Sequence, residues 1–244
     1  MKVLILAAGI GTRINRYLSG KPKCTVDIGG KSLIRYTVEI FKNKGIEEIG
    51  VVVGFGQDYI KKELEGLNVK YYYNYFFNVT NSIASAWFAF DFIEEDMLIM
   101  NGDVFLEENL LDDIIKEEKS PVLFSDENRK EEADYKFFYK DGILKKYGKE
   151  LKGKEITGEY IGVAKLKKSF IPKFKNQLKC MIENQEHSVW WENVLYSLVE
   201  TQDIYIQNIK NKFWAEIDYI EDYERILNFR KFKINYNIEV VKSD

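Results

Sequence analysis

The stretch KVLILAAGIGTR, residues 2–13, decides the fold, because a continuous apolar run passes directly into a glycine loop there. The run from Lys2 to Ala7 lacks polar alternation, which is typical of a strand buried on both faces of a parallel sheet. The small residues that follow, Gly9 and Gly11 among them, leave backbone N–H groups that can approach a phosphate chain closely. The stretch therefore predicts a central strand that ends in a phosphate-binding loop.

Helical and strand patterns alternate after this loop. Strands are predicted at residues 48–55, 68–73 and 96–100, and helices at 31–44, 57–64, from Thr80 or Asn81 to about 90, and at 107–118. Such alternation predicts an α/β fold with a mixed, mainly parallel central sheet between two helical layers. In sheets of this kind, ligands bind at the carboxyl ends of the strands, where Gly102 and Asp103 lie.

The second half of the chain differs from the first in having mostly short predicted strands. Strands are predicted at 134–139, 143–147, 160–166 and 213–217, and helices at 188–201 and 219–230. We predict one domain over residues 1–230, with a first part at 1–125 and a second part at 126–218. Residues 231–244 are predicted to be a C-terminal tail.

Composition excludes several classes of protein. The chain has 244 residues, 36 Lys and Arg against 39 Asp and Glu, and one histidine, His187. A net charge of -3 offers no overall basic field, so we expect no nucleic-acid partner. No apolar run reaches the roughly 18 residues of a membrane span, and the start is unlike a signal peptide. Two cysteines, Cys24 and Cys180, are too few for a disulfide framework, so a cytoplasmic location is expected.

Two familiar nucleotide motifs are broken. The pattern GxGxxG fails because Ile14 stands at its last glycine, and Gly30-Lys31-Ser32 lacks the leading glycine of a Walker loop because Thr25 stands there. The chain also carries two cations near the loop: Arg13, a forked donor for phosphate oxygens, and Lys23, fixed after Pro22. The chemistry is therefore expected to depend on carboxylates, lysine, arginine and metal.

At this point the chain resembles a known family. LAAGIGTR (residues 6–13) followed by KPK (21–23) resembles the signature of sugar-phosphate and phosphocholine nucleotidyltransferases. Further segments follow in family order, so that the resemblance covers roughly residues 1 to 230: GGKSLI at 29–34, NGD at 101–103, GEYIG at 158–162 and EID at 216–218. The resemblance implies a Rossmann-like fold of the nucleotide-diphospho-sugar transferase type, and a transfer that releases pyrophosphate. It also implies that residues 1–125 mainly bind the nucleotide and that residues 126–218 mainly bind the acceptor, the second substrate.

The resemblance also implies roles for individual residues. Arg13 and Lys23 are the predicted catalytic cations, and Asp103 and Asp218 the predicted ligands of Mg²⁺. The residues predicted to hold the nucleoside triphosphate are Leu6, Ala7, Ala8, Gly9, Gly11, Thr12, Asn81, Ser82 and Gly102. The segment from Asn78 to Ser82 resembles one in phosphocholine cytidylyltransferases and favours CTP, although Asn81 and Ser82 could equally serve to cap a helix.

The second substrate is predicted to carry an amine as well as a phosphate or phosphonate. Aromatic residues lie close to carboxylates in this half of the sequence, and that combination suits an ammonium group. The candidates are Glu159, Tyr160, Trp190, Trp191 and Glu192. Adjacent helical residues point in different directions, so Trp190 and Trp191 cannot be equally buried and at least one should face a pocket.

The leading interpretation is a Mg²⁺-dependent cytidylyltransferase that makes a CDP-activated precursor for surface glycan, phosphonate or lipid decoration. Its small-molecule partners would be CTP and the phosphorylated metabolite. Two alternatives stay open: a sugar-1-phosphate nucleotidyltransferase that uses UTP or dTTP, and a non-catalytic nucleotide-binding regulatory module. A homodimer is neither indicated nor excluded.

Overall fold

The computed structural model of the chain describes residues 1–11, 18, 20–130 and 133–241, with side chains described as far as Lys231. Its strands are β1 (Lys2–Ala7), β2 (Ile49–Val53), β3 (Lys70–Tyr73), β4 (Met97–Asn101), β5 (Val104–Leu106), β6 (Val122–Asp126), β7 (Lys136–Lys140), β8 (Ile143–Gly148), β9 (Gly158–Leu166), β10 (Tyr205–Asn208) and β11 (Trp214–Glu216). Its α-helices are α1 (Leu33–Asn43), α2 (Gln57–Glu63), α3 (Ser82–Phe88), α4 (Glu108–Lys116), α5 (Ile171–Glu183), α6 (Asn193–Tyr196) and α7 (Ile220–Val241). Short 3-10 turns lie at Lys23–Thr25, Phe90–Phe92 and Gly153–Glu155.

A mixed sheet forms the centre of the molecule, with the strand order β3-β2-β1-β4-β9-β6-β10-β8-β7. The first four strands in that order pair in parallel, and every residue of β1 and β2 is buried. This confirms the prediction of a Rossmann-like α/β fold with a mixed sheet. The parallel half matches the continuous apolar runs, because a strand covered by helices on both faces needs apolar side chains on both.

The second half of the sheet is largely antiparallel and curls back on itself. Strand β9 carries Glu159, which pairs with Asp126 of β6 on one side and with Lys136 of β7 on the other. The strands β9, β6, β10, β8 and β7 therefore close into a small barrel-like unit, because β7 pairs with β9 as well as with β8. A separate pair, β5 and β11, brings Glu216 opposite Val104, and Ile217 N–H donates to the Asp103 carbonyl at 3.0 Å.

Two helix starts show why the sequence folds as it does near the cleft. The Ser32 hydroxyl accepts from Arg35 N–H at 3.4 Å and caps α1, whose apolar side packs on the sheet. Asn81 caps α3, since its side-chain oxygen accepts from Ser82 N–H at 2.8 Å. Gly45 follows the end of α1, with a φ of 78° that suits glycine.

The predicted helix at residues 188–201 is wrong over most of its length, because only α6 is α-helical there. The carbonyl groups of His187 and Val189 accept from the N–H groups of Asn81 and Ile83, at 2.9 and 3.3 Å. These carbonyls satisfy free donors at the start of α3 and so are not available to begin a helix of their own. Helix α7, in contrast, continues past the predicted end at Arg230 as far as Val241.

Both cysteines are free thiols, Cys24 buried and Cys180 exposed. Among the helices of the described residues, none combines the length and the apolar character that crossing a bilayer requires.

Candidate active site

A cleft of about 500 Å³ lies at the carboxyl ends of β1 and β4, between the parallel half of the sheet and the closed antiparallel unit. Most of the residues predicted from the sequence line it. They are Leu6, Ala7, Ala8, Gly9, Gly11, Lys23, Asn81, Ser82, Gly102, Asp103, Glu159, Tyr160, Trp190, Glu192 and Asp218. The fold thus brings together, in one cleft, residues that are more than 200 positions apart in sequence.

Three predicted site residues stand apart from this set. Thr12 and Arg13 lie outside the described residues. Trp191 was predicted to contact the second substrate, but its side chain is fully buried in the core and does not line the cleft. Its indole Nε1 donates to Asn101 Oδ1 at 3.0 Å. Burial of its large apolar ring explains this placement, and Trp191 acts on the cleft indirectly, through its hydrogen bonds to residues that line it.

The glycine loop and the end of β4 pack closely against their neighbours. Gly11 has a φ of +65°, and a Cβ added there would lie 2.5 Å from Lys23 Cγ. Gly102 N–H donates to the Leu6 carbonyl at 2.8 Å, and an added Cβ would lie 2.8 Å from Ala7 Cβ. Only glycine fits at either position, and at Gly11 it leaves room for the lysine stem that reaches into the cleft.

Lys23 lies between the two predicted metal ligands. Its Nζ is 2.5 Å from Asp103 Oδ2 and 2.8 Å from Asp218 Oδ1. Burial alone would lower the pKa of this ammonium, but the two carboxylates outweigh it and hold the pKa above its ordinary value. The two carboxylates can therefore share one cation, as a Mg²⁺ site built from one or two carboxylates and substrate phosphates requires.

Glu216 is a third carboxyl group at this end of the cleft and was not among the predicted site residues. Burial raises its pKa well above the usual range, and the negative charge of Asp103 raises it further. Lys23 acts in the opposite direction but does not cancel these effects. Its position two residues before Asp218, on a strand that ends at the cleft, is the sequence signal that could have revealed it.

The other end of the cleft is built around Glu192. Its side chain is buried, and Asn101 Nδ2 donates to Glu192 Oε1 at 3.4 Å. Burial raises the pKa of this carboxyl group to about 7, although hydrogen bonds from the Asn101 amide and the Tyr160 hydroxyl act to lower that pKa. Tyr135, Tyr160 and Tyr196 line the cleft beside it.

Glu159, a predicted substrate contact, is largely occupied within the protein. Its Oε1 accepts from Asp134 N–H at 2.9 Å, and its Oε2 accepts from Arg129 Nε at 3.2 Å. It therefore holds Arg129 and Asp134, of which Asp134 lines the cleft. Lys149 bonds to Asp134 at 2.9 Å and lies 5.4 Å from the ring centre of Trp190, which is 41% exposed.

Asn81 and Ser82 line the cleft but also make hydrogen bonds that stabilise its wall. The Asn81 side chain caps α3, and the Ser82 hydroxyl accepts from Trp191 N–H at 3.0 Å. Asn74, which sequence reasoning missed, lies beside them after β3, and its Nδ2 donates to the Ser85 hydroxyl at 3.1 Å. A polar residue directly after a parallel strand was the signal for it.

One domain-family model and several known proteins are similar to this chain. Residues 3–165 match the MobA-like NTP transferase domain. The choline-phosphate cytidylyltransferase of Streptococcus pneumoniae is 27% identical over 237 residues, which cover 93% of this chain and 96% of that protein. The CTP:phosphoglutamine cytidylyltransferase of Campylobacter jejuni is 24% identical over 254 residues, covering 92% and 98%. The solved structure of the CTP:phosphocholine cytidylyltransferase from Streptococcus pneumoniae has a TM-score of 0.75 at 20% identity, covering 93% of this chain and 98% of that one, and so shares the fold.

Proposed function

Since the chain belongs to the MobA-like NTP transferase domain family, and is thus a nucleotidyltransferase, we propose that it transfers CMP from CTP to a small amine-bearing phosphate or phosphonate. The observation that carries this proposal is the position of Lys23 between Asp103 and Asp218, directly beside the glycine loop. A cation and two carboxylates at the carboxyl end of the central strands form a site for a triphosphate and its metal.

The proposed reaction is a direct displacement. An oxygen of the acceptor phosphate forms a bond to the α-phosphorus of the nucleotide, and the bond from that phosphorus to pyrophosphate breaks. Lys23 would stabilise the negative charge that develops on the phosphate oxygens, and Arg13 keeps the same predicted role from the sequence alone. Asp103 and Asp218 would hold Mg²⁺, which neutralises phosphate charge when bound.

CTP is the proposed nucleotide for two reasons. Two relatives that align along almost the whole chain are named as cytidylyltransferases. Asn81 and Ser82 also face the cleft close to the glycine loop, where amide and hydroxyl groups can offer both a donor and an acceptor to a pyrimidine edge.

An amine-bearing acceptor is proposed because the far end of the cleft has acidic and aromatic groups. Glu192 and the three tyrosines beside it offer a carboxylate and aromatic hydroxyl groups rather than an array of amides for sugar hydroxyls. The product would be a CDP-activated precursor for surface glycan, phosphonate or lipid decoration. A cytoplasmic location stays a prediction, in line with two free thiols.

The test is pyrophosphate release with Mg²⁺ across CTP, UTP, dTTP, ATP and GTP. Each nucleotide is paired with phosphocholine, phosphoethanolamine, 2-aminoethylphosphonate, amino-alcohol phosphates and hexose 1-phosphates. Release with CTP and an amine-bearing acceptor supports the proposal. Release only with UTP or dTTP and a hexose 1-phosphate would establish the sugar nucleotidyltransferase alternative instead.

A further inference from the structure

Glu192 is a buried carboxyl group that faces the cleft without a cation beside it. It forms no ion pair with any lysine or arginine in the described part of the chain, and its side-chain donors there, the Asn101 amide and the Tyr160 hydroxyl, are both uncharged. An unpaired carboxylate is costly to bury, which is why its pKa is raised to about 7. A cationic ligand placed against Glu192 would supply the missing partner.

Two hydroxyl oxygens beside Glu192 also lack a donor. The hydroxyls of Tyr160 and Tyr196 are buried, and their oxygens accept no hydrogen bond from the described residues, although Tyr160 lies close enough to donate to Glu192 and Tyr196 close enough to donate to Tyr135. Burial, and after it the charge of Glu192, raises the pKa of both hydroxyls well above the ordinary value, so both lie within its field. Buried polar groups are normally satisfied, and unsatisfied ones that line a cleft indicate a ligand that hydrogen-bonds them.

The faces of these rings, in contrast, are already in contact with other side chains. Tyr196 stacks on Tyr147 at 4.3 Å and on Tyr135 at 5.6 Å between ring centres, and Tyr160 packs on Phe137 at 5.3 Å. A quaternary ammonium binds to the open faces of aromatic rings and cannot donate a hydrogen bond. Tyr160 and Tyr196 therefore offer their hydroxyl oxygens to a ligand rather than open ring faces. The more exposed Trp190 also lines the cleft, but the Lys149 ammonium already lies 5.4 Å from its ring centre.

We propose that the acceptor carries a primary ammonium group, which donates to the Glu192 carboxylate and to the hydroxyls of Tyr160 and Tyr196. The proposal rests on the proposed cytidylyl transfer and narrows its acceptor class from amines in general to primary amines. Full methylation of the nitrogen removes all three donors, so that both tyrosine oxygens stay without a donor and Glu192 has no hydrogen-bonded cation, which is costly for buried groups.

The distance along β4 suits a short acceptor. Asn101 contacts Glu192 and precedes Asp103 by two residues, so the Cα atoms of Asn101 and Asp103 are at most about 7 Å apart. Asp103 marks the end of the cleft where the phosphate would react. A spacer of a few atoms between ammonium and phosphorus is therefore expected, as in a phosphorylated amino alcohol or an aminoalkylphosphonate.

The experiment measures kcat/KM with CTP and Mg²⁺ for phosphoethanolamine, its N-methyl and N,N-dimethyl derivatives, and phosphocholine. We expect a stepwise fall of about 10-fold or more along the series, mainly through KM, because hydrogen bonds to a charged group are lost one by one. Tyr160→Phe and Tyr196→Phe should each lower kcat/KM for phosphoethanolamine about 10-fold and leave that for phosphocholine within about 2-fold. Tyr72→Phe removes another buried hydroxyl, on β3 outside the cleft, and should change neither value.

The outcomes separate this proposal from the proposed function. Equal or faster turnover of phosphocholine would overturn the primary-ammonium proposal and keep the cytidylyltransferase. Equal losses for both substrates in the tyrosine variants would also overturn it, since a structural defect does not distinguish the substrates. Turnover of no amine-bearing acceptor would overturn the proposed function itself, and this inference with it.

Discussion

Glu192→Gln should make the protein more stable at alkaline pH while weakening binding of the acceptor. The substitution keeps the shape of the side chain and an oxygen that can accept from Asn101 Nδ2. It removes the charge that burial disfavours. Burial raises the pKa of Glu192 from 4.5 to about 7, and a shift of that size corresponds to about 3 kcal/mol between the two protonation states.

The direction in which stability changes with pH follows from the number of protons that the folded and unfolded states bind. Between pH 4.5 and 7 the folded protein keeps the proton on Glu192 that the unfolded chain has released, so the folded state binds more protons. Stability from this group is therefore fully present below pH 4.5 and is lost as pH rises through about 7. The variant lacks this loss, so at pH 8 its free energy of unfolding should exceed that of the wild type by about 3 kcal/mol.

The assay is urea unfolding followed by far-UV circular dichroism at about pH 4.5, 6 and 8, without nucleotide or Mg²⁺. Glu186→Gln is the matched control, since Glu186 is exposed and the same change there should stay within about 0.5 kcal/mol at every pH. The gain in Glu192→Gln should grow steadily with pH. If the difference between variant and wild type is the same at all three values, Glu192 is not a desolvated carboxyl group and the reasoning fails.

Three further substitutions test the nucleotide end of the cleft. Asp103→Asn should abolish Mg²⁺-dependent turnover with an unchanged circular dichroism spectrum, and near wild-type rates would remove Asp103 from the metal site. Lys23→Ala should lower turnover by about 10²-fold or more. The variant also leaves Asp103 and Asp218 without their shared cation, so Mg²⁺ should raise Tm more in the variant than in the wild type. An equal rise in Tm would contradict the shared site. Gly11→Ala should cost about 1–3 kcal/mol in urea unfolding and reduce turnover, because its Cβ would lie 2.5 Å from Lys23 Cγ at a φ of +65°. Gly66→Ala has a similar φ of +82° with no atom within 4 Å, and should show only the backbone cost and full turnover.

The parallel half of the fold was readable from the sequence because each of its strands is signalled locally. Continuous apolar runs predicted β1, β2 and β4, and glycine marked the end of α1 at Gly45. The antiparallel half was less readable, since short strands such as β10 are defined by distant partners. The predicted helix at 188–201 failed for the same reason, because hydrogen bonds to α3 compete with it there.

The residues of the candidate site likewise divide into those that a local sequence signal indicates and those that depend on contacts distant in sequence. Lys23, Asp103 and Asp218 each follow a local signal, a fixed turn or the end of a strand, and the structure brings them together. The sequence could also have indicated Tyr196, since it follows Glu192 by four residues at a helical turn and so lies on the same face. The sequence could not have indicated Lys149, because its contact with Asp134 depends on the register of β7 and β8, in which Lys136 pairs with Gly148.

The two ends of the cleft, one at Lys23 and the other at Glu192, meet at the carboxyl end of β4. Asn101 is held by the indole of Trp191 and bonds to Glu192, and two residues later Asp103 bonds to Lys23. Gly102 fixes the short segment between them against Leu6. In the proposed reaction these three consecutive residues would position both substrates, so a shift at the acceptor end would also move the proposed metal-binding carboxylate. Trp191 does not line the cleft, and through its bond to Asn101 it would keep the acceptor in register with the reacting phosphate.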